Sequence, residues 1–269
     1  MRRLVKPLSA IVIVAVLSLL VYSCKKDAKQ EQQQQEISAQ VLDRIAALGF
    51  SKSNVQLHED GYLVEGDIVL TEKDLNITPE MTFLRIAETE QYRTNNLVGS
   101  LPRTISVRVS TNLPSSYVTA ANEAIRRYNA ENLRVHFTRV TSGGEIVFRT
   151  APSGAGYLAS AGFPSGGNPF STIRVNSAFL GSNPGTNYLA TIMAHEMGHC
   201  VGFRHTDWMN RAYSCGGSPV NEGASSVGAI LIPGTPSGPD AGSWMLACIG
   251  TGQNRPFNAN DRTALNFVY

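Results

Sequence analysis

Strands interleaved with helices predict an α/β (α+β) fold: a small twisted mixed sheet backed by two helices, then a loop-rich C-terminal part that ends in a helix. Three observations lead there. Apolar alternation at 104–110, 134–140 and 145–150 gives short strands, with one amphipathic helical run between the first two. A second long helical pattern covers 186–201. Gly and Pro then crowd 216–242 before helical periodicity returns at Asn258.

The elements follow in order. An N-terminal helix places Ile37, Val41, Ile45 and Leu48 on one face and is closed by Gly49; strand-like 61–64 and 68–70 come after it. Residues 78–100 are polar, without clear period, and read as a connector. The helix at 115–130 starts after Pro114 with Ser115 as N-cap, and Ala121, Ala124, Ile125 and Tyr128 form its buried stripe. Two further strands precede the helix at 186–201. The last helix buries Ala264, Leu265 and Val268.

That second long helix carries the chemistry. His195 and His199 lie four apart, so their rings project from one helix face and can reach one ion at roughly 2.0–2.1 Å. Glu196 flanks that ion, where a carboxylate can take a proton from a water whose pKa zinc lowers to about 7 and pass it to a leaving amine. Gly202 ends the helix, because Gly adopts the left-handed C′ conformation without a Cβ penalty. The chain then turns back and His205 becomes the third ligand. The chain has five His in 269 residues, so three of them and a Gly in this register exceed what composition alone would place there. The cofactor expected is one catalytic Zn2+. Three protein ligands leave a position open, whereas a structural zinc site is usually closed by four.

His195-Glu196-Met197-Gly198-His199 together with Gly202 and His205 resembles the metzincin metallopeptidases, and in particular the bacterial dual-action family named for its His-Glu-Ile-Gly-His signature. The resemblance covers about 101–269 and implies a metzincin-like fold and a zinc endopeptidase acting on protein or peptide substrates. It also implies a turn with a Met packed beneath the metal, for which Met245 in Ser243-Trp244-Met245-Leu246-Ala247 is the candidate. Astacin-type members place a Tyr ligand two residues after that Met; here the position is Ala247, so three protein ligands plus water are inferred. Residues 156–164 resemble the edge strand that matrix-type metzincins lay above the cleft, with 172–176 as the next strand inward, an edge able to pair with an extended peptide. Glu65-Gly66-Asp67 resembles the aspartate-switch segment of astacin prosegments, which makes Asp67 a candidate latency switch; its alternative is an ordinary turn. No Cys lies between Cys24 and Cys200 to act as a switch instead.

Other residues carry weaker signals. Asp207 either orients a ligand imidazole or a cationic residue, as a second-shell group, or caps a loop. His136 reads as a structural strand residue and His58, beside Glu59 and Asp60, as solvated. Tyr188 and Tyr213 could stabilise an oxyanion, but spacing selects neither.

Arg2, Arg3 and Lys6 precede an apolar run at 8–21 that is short for a bilayer span of about 20 residues, so 1–23 reads as a signal peptide. Ser23-Cys24 resembles the lipobox of bacterial lipoproteins, which implies lipid (palmitate among it) at Cys24 and a protein anchored to the bacterial cell envelope, with the outer membrane expected. Residues 24–35 form a Gln-rich polar tether. The expected organisation is thus leader 1–23, tether 24–35, a small segment 36–100 that could be a prosegment, and a catalytic domain at 101–269. Without the three leader cations the balance is 20 basic to 21 acidic residues, near −1, which gives no footprint for nucleic acid. A monomer is expected. With Cys24 lipidated, three Cys remain; three pairings are open, and Cys200 with Cys215 is favoured because a plausible loop joins them. Two rival functions remain: a surface binding lipoprotein with a structural zinc site, and a zinc hydrolase of a non-peptide bond.

Overall fold

Ser38 begins the ordered N-terminal part by accepting a hydrogen bond from the Val41 amide, which caps helix α1 (Ala39–Ala47). The computed structural model describes residues 37–76, 91–223, 228–236 and 239–269; the leader, Cys24, the tether and part of the expected connector lie outside these. After α1 come β1 (Gln56–His58), β2 (Gly61–Val64) and β3 (Ile68–Leu70), an antiparallel meander in that order. Sequence reading misses β1, whose three residues carry no apolar alternation. It also misses α2 (Glu72–Leu75), a single turn set by a reciprocal Thr71–Asp74 capping box. Ile45, Leu48, Phe50, Val64, Ile68 and Leu70 bury together as a small core.

Residues 91–98, read as connector, are woven into the larger body. There β4 (Tyr92–Arg93) pairs antiparallel with the later Ile230–Leu231. The Thr94 amide donates to the Gly202 carbonyl, and the Arg204 amide to that of Tyr92. The main sheet follows: β5 (Arg103–Val109), β6 (Val135–Val140), β7 (Ile146–Thr150), β8 (Ala159–Ser160) and β9 (Thr172–Val175), in the order β6-β5-β7-β9-β8. All pairs are parallel except β8 with β9. The edge strand is shorter than expected because Gly156, Gly162 and Pro164 interrupt it; a Cβ on Gly162 would come 2.7 Å from the Phe170 ring.

Helix α3 (Ser115–Asn129) lies against the sheet. Pro114, not Ser115, holds its N-cap position and offers no side-chain cap. Tyr117, Ala121, Ala124 and Tyr128 are buried, and the Tyr128 hydroxyl donates to the Ala194 carbonyl of the ligand helix at 2.8 Å. After α4 (Ser177–Leu180), that helix, α5 (Thr186–Cys200), is buried from Tyr188 through Cys200. It has no polar stripe because the sheet and α3 cover one side and the C-terminal loops the other. Those loops carry α6 (Ala212–Cys215) and β10 (Ile230–Leu231) and lead to α7 (Ala259–Val268), capped by an Asn258–Asp261 box. Ala264, Leu265 and Val268 are buried as expected. The described residues from Ile37 onward form one compact unit, and no helix among them is long and apolar enough to cross a membrane.

Candidate metal centre and active site

The site is built on the end of α5. The Gly202 amide donates to the His199 carbonyl and the Phe203 amide to the Gly198 carbonyl, both at 2.9 Å. Gly202 sits at φ 107°, so the helix closes in a Schellman motif. The reversal brings His205 back beside His195 and His199, with ring centroids 4.7–5.3 Å apart.

Each imidazole is fixed by its Nδ1. His195 Nδ1 donates to the Trp244 carbonyl and His199 Nδ1 to the Phe203 carbonyl, both at 2.8 Å; His205 Nδ1 donates to the Glu222 carboxylate at 3.1 Å. All three partners only accept, so Nδ1 carries a proton in each ring and the three Nε2 atoms are turned toward one another. His195 and His199 Nε2 are 3.0 Å apart, a repulsive arrangement for two lone pairs unless a cation lies between them. Two nitrogens on a tetrahedral zinc with bonds near 2.0–2.1 Å stand about 3.3 Å apart, so the donor set fits such an ion.

Asp67 completes the ring. Its Oδ2 lies 3.2 Å from His205 Nε2 and 3.6 Å from His195 Nε2, and the four ligand atoms fall within 4.8 Å of one another. Burial opposes its charge, but the histidines outweigh that and hold its carboxyl well below the usual range. The bend that delivers it is uncommon: Glu65 and Gly66 sit at φ 55° and 91°, a conformation Gly adopts freely and Glu seldom. Glu65 is held there by Arg204, whose Nη2 donates to both carboxylate oxygens at 3.0 and 3.2 Å in a pair almost wholly shielded from water. On the other side of the bend the Val69 amide donates to the Ala161 carbonyl at 2.7 Å, and the Ala161 amide to that of Asp67 at 2.8 Å. Strand β3 therefore meets the chain just past the edge strand β8 through a single parallel bridge, Ile68 with Ala161.

Glu196 is buried beside the ligands, and its Oε2 has no hydrogen-bond partner among the described residues. Burial, and then the charge of Asp67, push its carboxyl up. Met245 lies under α5. A Cβ on Gly198 would come 2.7 Å from the Met245 sulfur, so a Gly between the two ligands is what lets the Met turn approach. The Thr206 amide donates to the Met245 carbonyl at 2.9 Å, tying that turn to the third ligand's loop.

Several expectations change. Cys215 is bonded to Cys248, not to Cys200, which is a buried free thiol at the core-facing end of α5 where burial pushes its pKa up. Of the two readings of Asp207 the loop-holding one is found, since it hydrogen-bonds no imidazole. It accepts from the Ala247 amide at 3.0 Å and the Ser214 hydroxyl at 2.5 Å, and so pins the loop after His205 to the Met turn. The imidazole-orienting acid is Glu222, in a loop with no spacing signal. His58 is not solvated: its side chain is 2% exposed, and its ring bonds to Tyr157 and Ser160. Tyr213 is exposed and Tyr188 is buried; neither lines the cavity at the site.

The chain matches the model of the dual-action HEIGH metallo-peptidase family over residues 62–269. No curated protein matches at a significant level. Among solved structures, one of myroilysin is similar at 15% identity over 64% of this chain and 82% of that chain, with a TM-score of 0.43. A second myroilysin structure gives 14%, 76%, 98% and 0.42.

Proposed function

Since the chain belongs to the dual-action HEIGH metallo-peptidase family, we propose that it is a zinc endopeptidase of the metzincin type whose own Asp67 holds it latent. The observation that carries this reading is the convergence of three Nδ1-anchored imidazoles with a buried Glu196 beside them whose Oε2 has no partner among the described residues. When held by His195, His199 and His205, zinc supplies Lewis acidity, which activates a water near neutral pH and polarises a scissile carbonyl. The chain supplies the rest. Glu196 takes the proton of the attacking water and delivers it to the leaving amine, and its buried, raised carboxyl suits both halves of that transfer. The Trp244 and Phe203 carbonyls and the Glu222 carboxylate keep the ligand lone pairs aimed. Met245 and Gly198 set the floor on which the ligand helix rests.

Asp67 takes the place that the attacking water needs, and β3 pairs with the edge an extended substrate would use. In this form the chain is inactive; release of residues 37–76 opens both. The same four-ligand closure favours a second reading, a binding protein with a structural metal site, since such sites are typically closed by four protein ligands. Attachment to the bacterial envelope through lipid on Cys24 belongs to the proposal as well, supported by Ser23-Cys24 after the apolar run.

Metal analysis of the purified protein tests the centre. One zinc per chain is expected, falling to well under half after His199→Ala. A chain without metal, or His199→Ala with its zinc intact, overturns the assignment.

A further inference from the structure

The cavity beside Glu196 has a chemical peculiarity that the peptide-bond chemistry does not require. It measures about 230 Å³, opens onto His195 and Glu196, and has mainly apolar walls, among them Leu158, Ile192, Leu246 and Ile249. Two cations line it. Arg211 is neutralised by Glu222, 3.1 Å from its Nη1. Arg255 is not neutralised: among the described residues no carboxylate lies within ion-pair distance of it. Its Nη1 donates to the Cys248 carbonyl at 2.8 Å and its Nη2 to the Gln253 side-chain oxygen at 3.3 Å, both neutral. Burial pushes its pKa down, and Asp207, the carboxylate whose field offsets this, is engaged by Ser214 and the Ala247 amide.

A half-buried guanidinium with no counter-ion among the described residues is unfavourable, and a cation in that state beside a reactive centre is poised for an anionic ligand. Its position is fixed from two sides. The Arg255 amide donates to Thr191 Oγ1 at 3.0 Å, one turn before His195 on α5, and its guanidinium rests on Cys248, held by the bond to Cys215. Arg presents a planar fork that matches a carboxylate bidentately. Resting on the peptidase reading above, we propose that this cavity is a specificity pocket for a substrate carboxylate, with Arg255 as the residue that selects it. The carboxylate can come from a Glu or Asp side chain or from the substrate's own C-terminus.

The test uses full-length Asp67→Ala protein with zinc and end-blocked peptides that differ at one position, Glu, Gln, Leu or Lys, on either side of the cleaved bond. A parallel set ends in a free carboxylate. The expected result is a kcat/KM at least ten-fold higher for Glu than for Gln, or for free over blocked termini, with that ratio falling to near one in Arg255→Gln and partly kept in Arg255→Lys. A preference confined to the free termini assigns the pocket to a C-terminal carboxylate. A ratio near one in the parent, or one unchanged by Arg255→Gln, overturns the pocket while leaving the peptidase standing.

Binding of the same peptides to Asp67→Ala/Glu196→Ala protein is read from the fluorescence of the two tryptophans, one of which, Trp244, lines the cavity. Arg255-dependent binding of the carboxylate peptides with no cleavage by the Glu196 form would support the pocket and overturn the peptidase. Neither binding nor cleavage would overturn both.

Discussion

Gly198 explains much of the site's tightness. It stands between His195 and His199 on the helix, and a Cβ there would come 2.7 Å from the Met245 sulfur, with the Trp244 indole nitrogen at 3.3 Å leaving little room to spare. At this scale the sequence is most legible where the chemistry is local. His195, Glu196, His199, Gly202 and His205 declare themselves because helix period and a left-handed C′ turn fix their relations within a few bonds. Glu222 and the Trp244 carbonyl orient the same imidazoles from residues 17 and 49 positions away from their partners, a proximity that only the folded loops create. The ion pair of Glu65 is likewise not foreseen, since it spans 139 positions to Arg204. Glu196 admits a sharp test. In the unlatched Asp67→Ala background, Glu196→Ala should retain zinc and fold yet lose peptide hydrolysis by at least ~100-fold, because positioned proton transfer typically contributes 10²–10⁴. Turnover within a few-fold of the parent would reassign the base.

Among elements, helices and the paired strands of the main sheet follow from apolar period, while short or irregular pieces do not. Strand β1 and helix α2 are three and four residues long and owe their form to pairing and a capping box. The disulfide is the clearest failure of local reasoning. Cys200 faces the core from the last turn of α5, whereas Cys248 lies just past the Met turn, which the fold brings to Cys215 at the end of α6. Peptide mapping without reduction should link Cys215 to Cys248 and leave Cys200 as a thiol that labels only after denaturation. Cys248→Ser should lower stability by about 2–4 kcal/mol, the range for a bridge closing a loop of this size. A Cys200-containing bridge in the map would contradict the structure.

For the whole molecule, the proposal makes the N-terminal part a plug. One turn carries two carboxylates inward, Glu65 onto Arg204 and Asp67 onto the histidines, and β3 bridges to Ala161 beside the sheet's edge strand. Sequence reading reaches Asp67 by resemblance but not the edge pairing, because β3 meets Ala161 across nearly a hundred residues of chain. The proposal places this assembly on a membrane through Cys24. Cys24→Ser should therefore move the protein from the membrane to the soluble fraction and abolish fatty-acid labelling, since one lipid signal removed leaves only the short apolar leader. Labelling undiminished in the Ser variant would refute attachment at that residue.

Asp67 decides between a latent peptidase and a closed metal site. The direct measurement is hydrolysis of a proteome-derived peptide library, read by mass spectrometry, with zinc-loaded full-length protein and its Asp67→Ala variant side by side at equal metal content. Few products are expected from the parent, and a rise of at least ten-fold in Asp67→Ala without any chain cleavage. Equal activity in both would show that Asp67 is no latch, and zinc bound in both with no product from either would show that the centre is structural.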